Sequence, residues 1–428
     1  MRVLEGNAAT HAAIIAANAA RAFSATTALE AQVRAICDDV RARGDEAVIE
    51  ACRKFDCPDL QVRNLRVRAE EIEAAWNALP ANAQGALQRA AANLKAFHTA
   101  QKPQDFTFDS PDGARLSNRW TPIERVGTYA PNGRAAYPST VLMLAIPARV
   151  AGVKDIVLAT PAGKDGQAHP VILAAAHVAG IREIYKVGGA AAMAALAYGT
   201  EMIPRVDKLV GPGSIYLTLA KKYLFGTVGV DGLYGPSEVA IVAEHGADAA
   251  QIAADLLAQA EHGADSFVAF LTPSPELLRA VESEIESQSA PSPRAQLARA
   301  ALENSLLCRV ETMEDACALC DQIAAEHVEI WSDDAQKWAD QIPNAGAIFL
   351  NCPVPLGDYI IGPSHTLPTG ATARFASGVG VDTFLKRTSI IKAPKASIES
   401  LADDLEIIAQ LEELPGHAAA VKRATKQQ

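Results

Sequence analysis

The sequence lacks the features that mark nucleic-acid-binding proteins and disulfide-stapled proteins. Its 39 lysines and arginines are outnumbered by 50 aspartates and glutamates, and the net charge is −11. No basic tail is present, which argues against nucleic acid as a partner. Seven cysteines in 428 residues are few and odd in number. They argue against a disulfide scaffold and predict a reducing, cytoplasmic environment.

Long hydrophobic runs are also missing. The most apolar segment, residues 139–153, contains Pro147 and Arg149 and is shorter than the roughly 20 residues that cross a bilayer. The Ala-rich N-terminus is interrupted by Asn18 and Arg21, so we predict an amphipathic helix there rather than a signal peptide. The sequence therefore predicts no membrane segment.

The pattern of apolar residues predicts an α/β protein. The length suits about two or three domains, and 49% hydrophobic residues exclude wholesale disorder. Residues 28–97 have helical spacing, and residues 397–428 do so again with a break at Pro415. Between them, short apolar strands alternate with helices, first over 141–209 and then over 238–351. This alternation is typical of parallel sheets with helices on their faces.

Gln259 and His262 lie three residues apart near the end of a predicted helix over 248–262. That spacing places both side chains on one face, in the last turn before Gly263. Two such side chains can ligate one metal ion, although the same spacing also occurs in polar pairs on ordinary helix surfaces. The remaining ligands would have to come from distant parts of the chain.

Two further segments place carboxylates near histidines. Asp358 and His365 share a loop of apolar and turn residues, and a carboxylate in such a loop needs a partner or a metal. Glu326 and His327 are adjacent where a predicted helix meets a strand, and such a pair can supply two acid–base groups to one site. A turn-stabilising Asp with a hydrogen-bonded His, and a plain surface dipeptide, are the structural alternatives.

The C-terminal motif and the glycine motifs are less specific. Glu412 and His417 flank a turn near the C-terminus, where the histidine could equally cap a helix. Residues 188–189 (Gly-Gly) and 211–213 (Gly-Pro-Gly) each follow a predicted strand and could bring backbone N–H groups to a phosphate. Neither has the GxGxxG spacing of the standard dinucleotide fingerprint.

Taken together, these motifs resemble the histidinol dehydrogenase family over nearly the whole chain. The resemblance rests on many blocks in the same order. They are YAPNGRAAYPSTVLMLAIPARVAG, KVGGAAAMAALAYGT, VDKLVGPGS, GPSEVAIVA, DLLAQAEHG, the Glu326-His327 pair, GDYIIGPSHTLPTGATARF and FLKRTS. So many ordered blocks predict membership of this superfamily, whereas the substrate does not follow from membership alone.

The resemblance implies a site that binds one zinc ion and NAD. The implied zinc ligands are Gln259, His262, Asp358 and His417. The implied acid–base residues are Glu326 and His327, the substrate contacts are Ser237, His365 and Glu412, and the cofactor contacts are Tyr129, Ala191 and Ser214.

The resemblance also implies an architecture and an assembly. It predicts two incomplete Rossmann-like domains with parallel sheets, one at 129–236 and a larger one formed by 24–128 with 237–379. It further predicts helical tails at 1–23 and 380–428 that are exchanged in a homodimer. The C-terminal tail would then complete the zinc site of the partner subunit.

The implied reaction is the four-electron oxidation of a primary alcohol, L-histidinol, through an aldehyde to L-histidine with two NAD molecules. Zinc would orient the substrate while the nicotinamide accepts hydride. His327 would act as general base on the alcohol and then on the aldehyde hydrate. Glu326 would activate the water that adds to the aldehyde.

Several positions depart from the usual residues of the family. Ala191 replaces a Gln that contacts NAD, Ser214 replaces an Asn, and Val354 stands where an acid is common. Arg134 adds a positive charge to the rim, and these changes favour a less cationic or an anionic substrate. Two alternatives follow: a dehydrogenase of the same superfamily that oxidises another polar or anionic alcohol, such as a sulfonated propanediol, and a non-catalytic binding homologue.

Overall fold

The computed structural model describes residues 2–21, 25–132, 135–289 and 294–426. The N-terminal elements are β1 (Arg2–Glu5), α1 (Asn7–Arg21), α2 (Thr27–Arg43), α3 (Asp45–Phe55), α4 (Ala69–Asn77), α5 (Ala81–Gln101), β2 (Phe106–Asp109) and β3 (Arg115–Pro122). The middle elements are β4 (Arg125–Tyr129), α6 (Pro138–Ala151), β5 (Asp155–Thr160), α7 (Pro170–Ala179), β6 (Glu183–Lys186), α8 (Gly189–Tyr198), β7 (Lys208–Val210), α9 (Ile215–Leu224) and β8 (Gly229–Val230). The C-terminal elements are β9 (Glu238–Ala243), α10 (Ala249–Ala260), β10 (Phe267–Thr272), α11 (Pro275–Ser289), α12 (Ala295–Glu303), β11 (Leu306–Arg309), α13 (Met313–Ile323), β12 (His327–Trp331), α14 (Ala335–Ala339), β13 (Ala347–Leu350), α15 (Pro355–Tyr359), β14 (Leu385–Lys392), α16 (Lys395–Leu411) and α17 (Pro415–Lys426).

The smaller sheet has five parallel strands in the order β6-β5-β4-β7-β8. Along β5, Val157 and Ala159 face one core cluster, whereas Ile156 and Leu158 face the other, as the two-residue period of a strand requires. Helices α2, α3, α8 and α9 cover the first face, and α4, α5, α6 and α7 cover the second. Both faces are therefore buried.

This packing differs from the domain grouping expected from the sequence. That grouping joined residues 24–128 to 237–379, but α2 to α5 pack against the smaller sheet, which is built from residues 125–230. The resemblance implied that grouping, and helical spacing could not test it, because spacing identifies the apolar face of a helix and not the sheet that the face covers.

The larger sheet has six parallel strands in the order β1-β11-β10-β9-β12-β13. Every residue of β9 and β10 is buried, which explains why the sequence is apolar over 239–243 and 267–271. Helices α1, α13 and α14 contribute to the core on one face, and α10, α11 and α12 to the core on the other. Residues 2–21 thus belong to this sheet and its cover in their own chain, rather than to a separate N-terminal tail.

A third sheet is antiparallel and has the order β14-β3-β2. β14 pairs with the whole length of β3 and leads into α16 and α17. This sheet exposes large apolar side chains, among them Phe106, Phe108 and Ile391. The C-terminal segment therefore starts on its own chain and continues as two helices.

The most apolar segment of the sequence forms α6, which is buried beside the smaller sheet. Over the described ranges, no helix is long and apolar enough to cross a membrane. The seven cysteines all fall in these ranges, and each is a free thiol.

A buried pair of carboxyl groups joins α10 to β12. Glu329 accepts hydrogen bonds from the amide of Val354 at 3.0 Å and from Nε1 of Trp331 at 2.9 Å. Burial and the neighbouring Asp255 carboxylate raise the pKa of Glu329 to about 8. Burial also raises the pKa of Asp255. At neutral pH, the state in which the two carboxyl groups share one proton is therefore favoured.

We expect the contribution of Glu329 to the free energy of unfolding to fall as the pH rises from 4.5 to about 8. Over this window the unfolded chain has released the proton that the folded chain still holds, so rising pH favours unfolding. Glu329→Gln should flatten this slope and stabilise the protein at pH 9 by on the order of 1–3 kcal/mol. Urea unfolding across this pH range measures the effect.

The matched control is Glu286→Gln on the exposed face of α11, for which we expect the wild-type slope. A Glu329→Gln variant with the slope of the wild type would show that the buried pair does not control the pH dependence of stability.

Candidate active site

A cavity of about 580 Å³ lies between the smaller and the larger sheet. On one side it meets the carboxyl ends of the smaller sheet, through Pro131 after β4 and residues 212–215 after β7. On the other side it meets the amino ends of the larger sheet, where β9 and β12 begin. Only the smaller sheet thus presents the edge at which open α/β sheets usually bind ligands.

Gln259, His262 and Asp358 all line this cavity. Gln259 lies in the last turn of α10 and is 3% exposed. The predicted helix ended at His262, but α10 ends at Ala260, because the amide of His262 bonds to the carbonyl of Gln259 at 3.3 Å and tightens the turn. The two side chains line one cavity, and His262 lies just beyond the end of the helix.

Asp358 contacts two histidines. Its carbonyl accepts a hydrogen bond from Nδ1 of His365 at 2.9 Å, and its Oδ1 lies 3.2 Å from Nε2 of His327. Nε2 of His365 lies 2.9 Å from Oγ1 of Thr140 at the start of α6. Because a carbonyl can only accept, His365 carries a proton on Nδ1, and in the neutral ring Thr140 donates to Nε2. This chain of contacts ties the loop of Asp358 to a helix of the smaller sheet.

Glu326 and His327 stand at the start of β12, and both line the cavity. Nδ1 of His327 lies 3.0 Å from the carbonyl oxygen of Glu238. The neutral ring therefore carries its proton on Nδ1 and has its lone pair on Nε2. Among the described residues Nε2 has no well-angled hydrogen-bond partner, and Oε2 of Glu326 lies 3.6 Å from Nδ1.

Burial and mutual charge shift the pKa values of these groups. Burial raises the pKa of Glu326 to about 8. Burial alone would lower the pKa of His327, but the carboxylates of Glu326 and Asp358 raise it to about 9. Burial lowers the pKa of both His262 and His365. Neutral imidazole is the form that binds metals and accepts protons.

Three of the four implied zinc ligands meet in this cavity. Gln259, His262 and Asp358 offer an amide oxygen, an imidazole nitrogen and a carboxylate oxygen, which are donors that Zn²⁺ accepts. Within the described chain, the side chains of Gln259 and His262 make no hydrogen bond. That part of the chain contains no group of three or more His, Cys, Asp and Glu side chains that could hold a metal. The residues present therefore fit a metal ion whose coordination needs a further ligand from elsewhere.

The predicted cofactor residues lie on the smaller-sheet side, with different exposure. Tyr129 ends β4, is 5% exposed and accepts a hydrogen bond from the amide of Gly189 at 3.3 Å. Ser214 precedes α9 and lines both this cavity and an adjoining cavity of about 780 Å³. Ala191 is buried in α8, in a core cluster. Of the three, Ser214 has the exposed side chain.

A buried ion pair fixes the turn that carries Ser214. The side chains of Lys221 and Asp231 are in contact, and each is 1% exposed. Nζ of Lys221 donates to the carbonyl of Gly211 at 3.0 Å, and the amide of Gly211 donates to Oδ2 of Asp231 at 2.7 Å. Gly211 has a φ of 125°, and a Cβ there would lie 2.6 Å from the carbonyl oxygen of Tyr129. The turn therefore requires glycine at this position.

Ser237 lines the cavity, whereas Glu412 and His417 do not line it within their own chain. Glu412 follows α16, His417 lies in the first turn of α17, and both are exposed. This region also exposes large apolar side chains. They are Leu401, Leu405, Ile407, Ile408, Leu411 and Leu414. Apolar surface of this extent is typical of an interface.

The departures from the family pattern lie in different surroundings. Arg134 lies outside the described residues. Val354 is 3% exposed and packs in the core cluster of α10 and β9, so its side chain is not part of the cavity wall. The prediction of a changed rim thus rests on Ser214 among the residues with a described position.

Sequence reasoning did not identify Thr140, Glu238 or Arg21 as part of the site. Glu238 follows Ser237 in the GPSE block, and Arg21 pairs with it at 2.7 Å. Their contacts are tertiary, and only the motif around Glu238 could have indicated one of them.

Comparisons with known proteins identify the family of this chain. The sequence model of the histidinol dehydrogenase family matches residues 19–424. Histidinol dehydrogenase of Synechococcus sp. is 46% identical over 396 residues, which cover 92% of this chain and 91% of that protein. The enzyme of that name from Heliobacterium mobile is 45% identical over 393 residues, which cover 91% and 92%.

A solved structure gives the same result. The crystal structure of histidinol dehydrogenase from Elizabethkingia anophelis superposes with a TM-score of 0.94 at 35% identity, covering 100% of this chain and 98% of that one. The resemblance inferred from the sequence blocks is confirmed. The chain belongs to the histidinol dehydrogenase family of NAD-dependent oxidoreductases.

Proposed function

We propose that the protein oxidises L-histidinol through the aldehyde to L-histidine, with one zinc ion per site. In the balanced reaction, the alcohol, one water and two NAD⁺ give the carboxylate, two NADH and three protons. The observation that carries the proposal is the convergence of Gln259, His262 and Asp358 with the Glu326–His327 pair on one cavity. The names of the relatives at about 45% identity support the same substrate.

Gln259, His262 and Asp358 would hold the zinc ion, with His417 of the partner subunit as the fourth ligand. When bound, zinc supplies a fixed positive charge that orients the amine and imidazole of the substrate. The neutral form of His262, which burial favours by lowering its pKa, suits this role.

His327 would take the proton of the alcohol while the hydride leaves for NAD. Its Nδ1–H is held by the carbonyl of Glu238, so Nε2 is the nitrogen free to act as a base. The carboxylates of Glu326 and Asp358 raise the pKa of His327 to about 9, so the ring must first lose its resting proton, and the neutral ring is then a strong base. The same nitrogen would then take a proton from the aldehyde hydrate.

Glu326 would activate the water that adds to the aldehyde. Burial raises the pKa of its carboxyl group to about 8, which places its titration near neutral pH, where proton transfer is most effective. Ser237, His365 and Glu412 would contact the substrate. Enclosure between the two sheets would retain the aldehyde between the two oxidations.

NAD would bind on the smaller-sheet side, between Tyr129 and Ser214. This is the carboxyl edge of a parallel sheet, which is the usual place for a nucleotide. Ser214 begins α9, and its hydroxyl can donate to the cofactor. We expect no polar contact from the buried methyl group of Ala191.

The proposed active form is a homodimer with shared sites. Glu412 and His417 are exposed and lie outside the cavity of their own chain. A second copy that packs against α16 would bury the exposed apolar side chains of that helix. It would also bring Glu412 and His417 to the cavity of the other subunit.

We expect the purified, zinc-loaded protein to convert L-histidinol to L-histidine with about two NADH per product. Removing zinc with a chelator should abolish turnover while the far-ultraviolet circular dichroism stays unchanged, because both sheets have complete cores without the metal. Adding zinc back should restore activity. NADH absorbance and product chromatography measure these outcomes.

A substrate panel decides between this function and its alternatives. NADH formed from a sulfonated propanediol or a hydroxy-acid alcohol, with none from histidinol, would replace the proposed substrate with an anionic alcohol. Absence of NADH with every alcohol would leave a binding protein. Unfolding on chelation would instead show that the metal is structural.

A further inference from the structure

Glu238 and Glu326 form a closed pair across β9 and β12. The amide of Glu238 donates to Oε2 of Glu326 at 2.9 Å, and the amide of Glu326 donates to Oε2 of Glu238 at 3.3 Å. Each carboxylate thus accepts from the backbone of the other residue. This fixes the side chain of Glu326 relative to both strands, so its position does not depend on a bound ligand.

Glu238 also orients the ring of His327. The carbonyl oxygen of Glu238 lies 3.0 Å from Nδ1 of His327 and selects the ring form with the lone pair on Nε2. Glu238 itself is 2% exposed and lies in the wall of the adjoining 780 Å³ cavity. It therefore contacts both acid–base residues from behind the proposed substrate cavity.

Arg21 balances the charge of Glu238. Its Nη1 lies 2.7 Å from Oε1 of Glu238, and its side chain is 9% exposed. The guanidinium lies over the ring of Phe267, 4.3 Å from the centroid, and Nη2 donates to the carbonyl of Ile323 at 2.9 Å. The amide of Gly370 donates to the same Oε1 at 2.8 Å. The carboxylate is thus held on three sides.

Removing either Arg21 or Glu238 would leave the other as a buried charge without its partner, which is strongly unfavourable. If Arg21 is lost, a bare Glu238 carboxylate faces the carboxyl group of Glu326, and repulsion favours movement of one of them. Arg21 lines the adjoining cavity and not the one with the acid–base pair. Any effect of Arg21 on the acid–base pair must therefore pass through Glu238, with which it pairs.

We propose that Arg21 and Glu238 are positioning residues, which fix the side chain of Glu326 and the ring orientation of His327 for the oxidation. This inference rests on the proposed function, because it assigns those two residues to the acid–base steps. It makes the end of the N-terminal helix α1 part of the active-site support.

Arg21→Met and Glu238→Gln should each lower kcat by about 10- to 100-fold, the range for residues that orient catalytic groups. KM for the alcohol and the zinc content should stay within about threefold of wild type, because neither residue lines the proposed substrate cavity. Arg21→Lys should recover part of the loss. The double variant should lose no more than either single variant, since it leaves no unpaired charge.

Arg2→Met is the matched control. Arg2 lines the same adjoining cavity and belongs to the same N-terminal segment, but it does not pair with Glu238, so we expect wild-type kcat. Thermal melting of every variant separates loss of fold from loss of rate. Wild-type kcat in both single variants, losses that multiply in the double variant, or a change in KM and zinc content instead of kcat would each overturn the proposal.

A readout without substrate separates this inference from the proposed function. In protein labelled with ¹⁵N-histidine, the Nδ1–H signal of His327, assigned by its absence in His327→Asn, should be shifted or lost in Arg21→Met. An unchanged signal in Arg21→Met and in Glu238→Gln would overturn the positioning role. A changed signal in a protein that does not oxidise histidinol would contradict the proposed function and leave the positioning intact.

Discussion

His417→Ala should lose both zinc and activity, although His417 lies outside the cavity of its own chain. Structural zinc sites gain roughly 10–16 kcal/mol from about four ligands, so one ligand contributes on the order of 3–4 kcal/mol, or about 10²- to 10³-fold in affinity. Metal analysis and NADH formation at fixed zinc measure the loss. His11→Ala, which removes an exposed histidine from α1, should leave both unchanged.

Mixing this variant with Gln259→Ala tests whether two chains share each site. In a heterodimer of the two variants, one site receives both substitutions and the other receives none. Random reassortment after mild dissociation makes about half of the dimers mixed, so the mixture should recover about one quarter of wild-type activity. A mixture that stays inactive would show that each site is built from one chain. A His417→Ala protein that retains zinc would show that the fourth ligand comes from elsewhere.

The sequence predicted the parallel sheets because of how buried strands are built. β9 and β10 are covered on both faces. Apart from Glu238 at the start of β9 and Thr272 at the end of β10, their residues are apolar, and these runs stand out from the alternating helices. The packing partners of the helices could not be predicted in this way. Val33, Cys37 and Val40 give α2 an apolar face, and this face would fit either sheet; in the structure it packs against the smaller one.

The candidate site could be predicted from the sequence where its residues are adjacent or belong to one motif. Gln259, His262, Asp358 and the Glu326–His327 pair were all named from the sequence, and they meet in one cavity. Glu238 was missed because its contacts with Glu326 exist only when β9 and β12 pair, across a sequence separation of 88. Thr140 was missed for the same reason, since it reaches His365 across the gap between the sheets.

This difference also explains why a charged residue of α1 can affect the proposed chemistry. An arginine at the end of an Ala-rich helix has no catalytic signal in the sequence. In the structure, α1 lies on α13, where Nδ2 of Asn18 donates to the carbonyl of Gln322 at 2.6 Å. That contact places Arg21 against the strand ends where Glu238 and Glu326 stand.

His327→Asn should lower kcat by about 10²- to 10⁴-fold, the usual contribution of a general base. The Asn amide can still donate to the carbonyl of Glu238 in place of Nδ1–H, so the variant removes Nε2 with little change in the surrounding contacts. Both oxidations need that nitrogen, and we therefore expect neither the alcohol nor the aldehyde to be oxidised at a normal rate. Rapid oxidation of either one would exclude His327 as the base for that step.

Glu326→Gln should separate the two oxidations. The Gln oxygen can still accept from the amide of Glu238, but the amide group cannot take a proton from water, so hydration of the aldehyde slows. The first hydride transfer continues, because Asp358 still raises the pKa of His327. A single-turnover experiment with excess NAD should show a fast phase of about one NADH per site and a slow second phase, against about two fast equivalents in wild type. Supplying the aldehyde directly should show only the slow phase. Two fast equivalents in Glu326→Gln, or the loss of both phases, would contradict a role for Glu326 confined to the water.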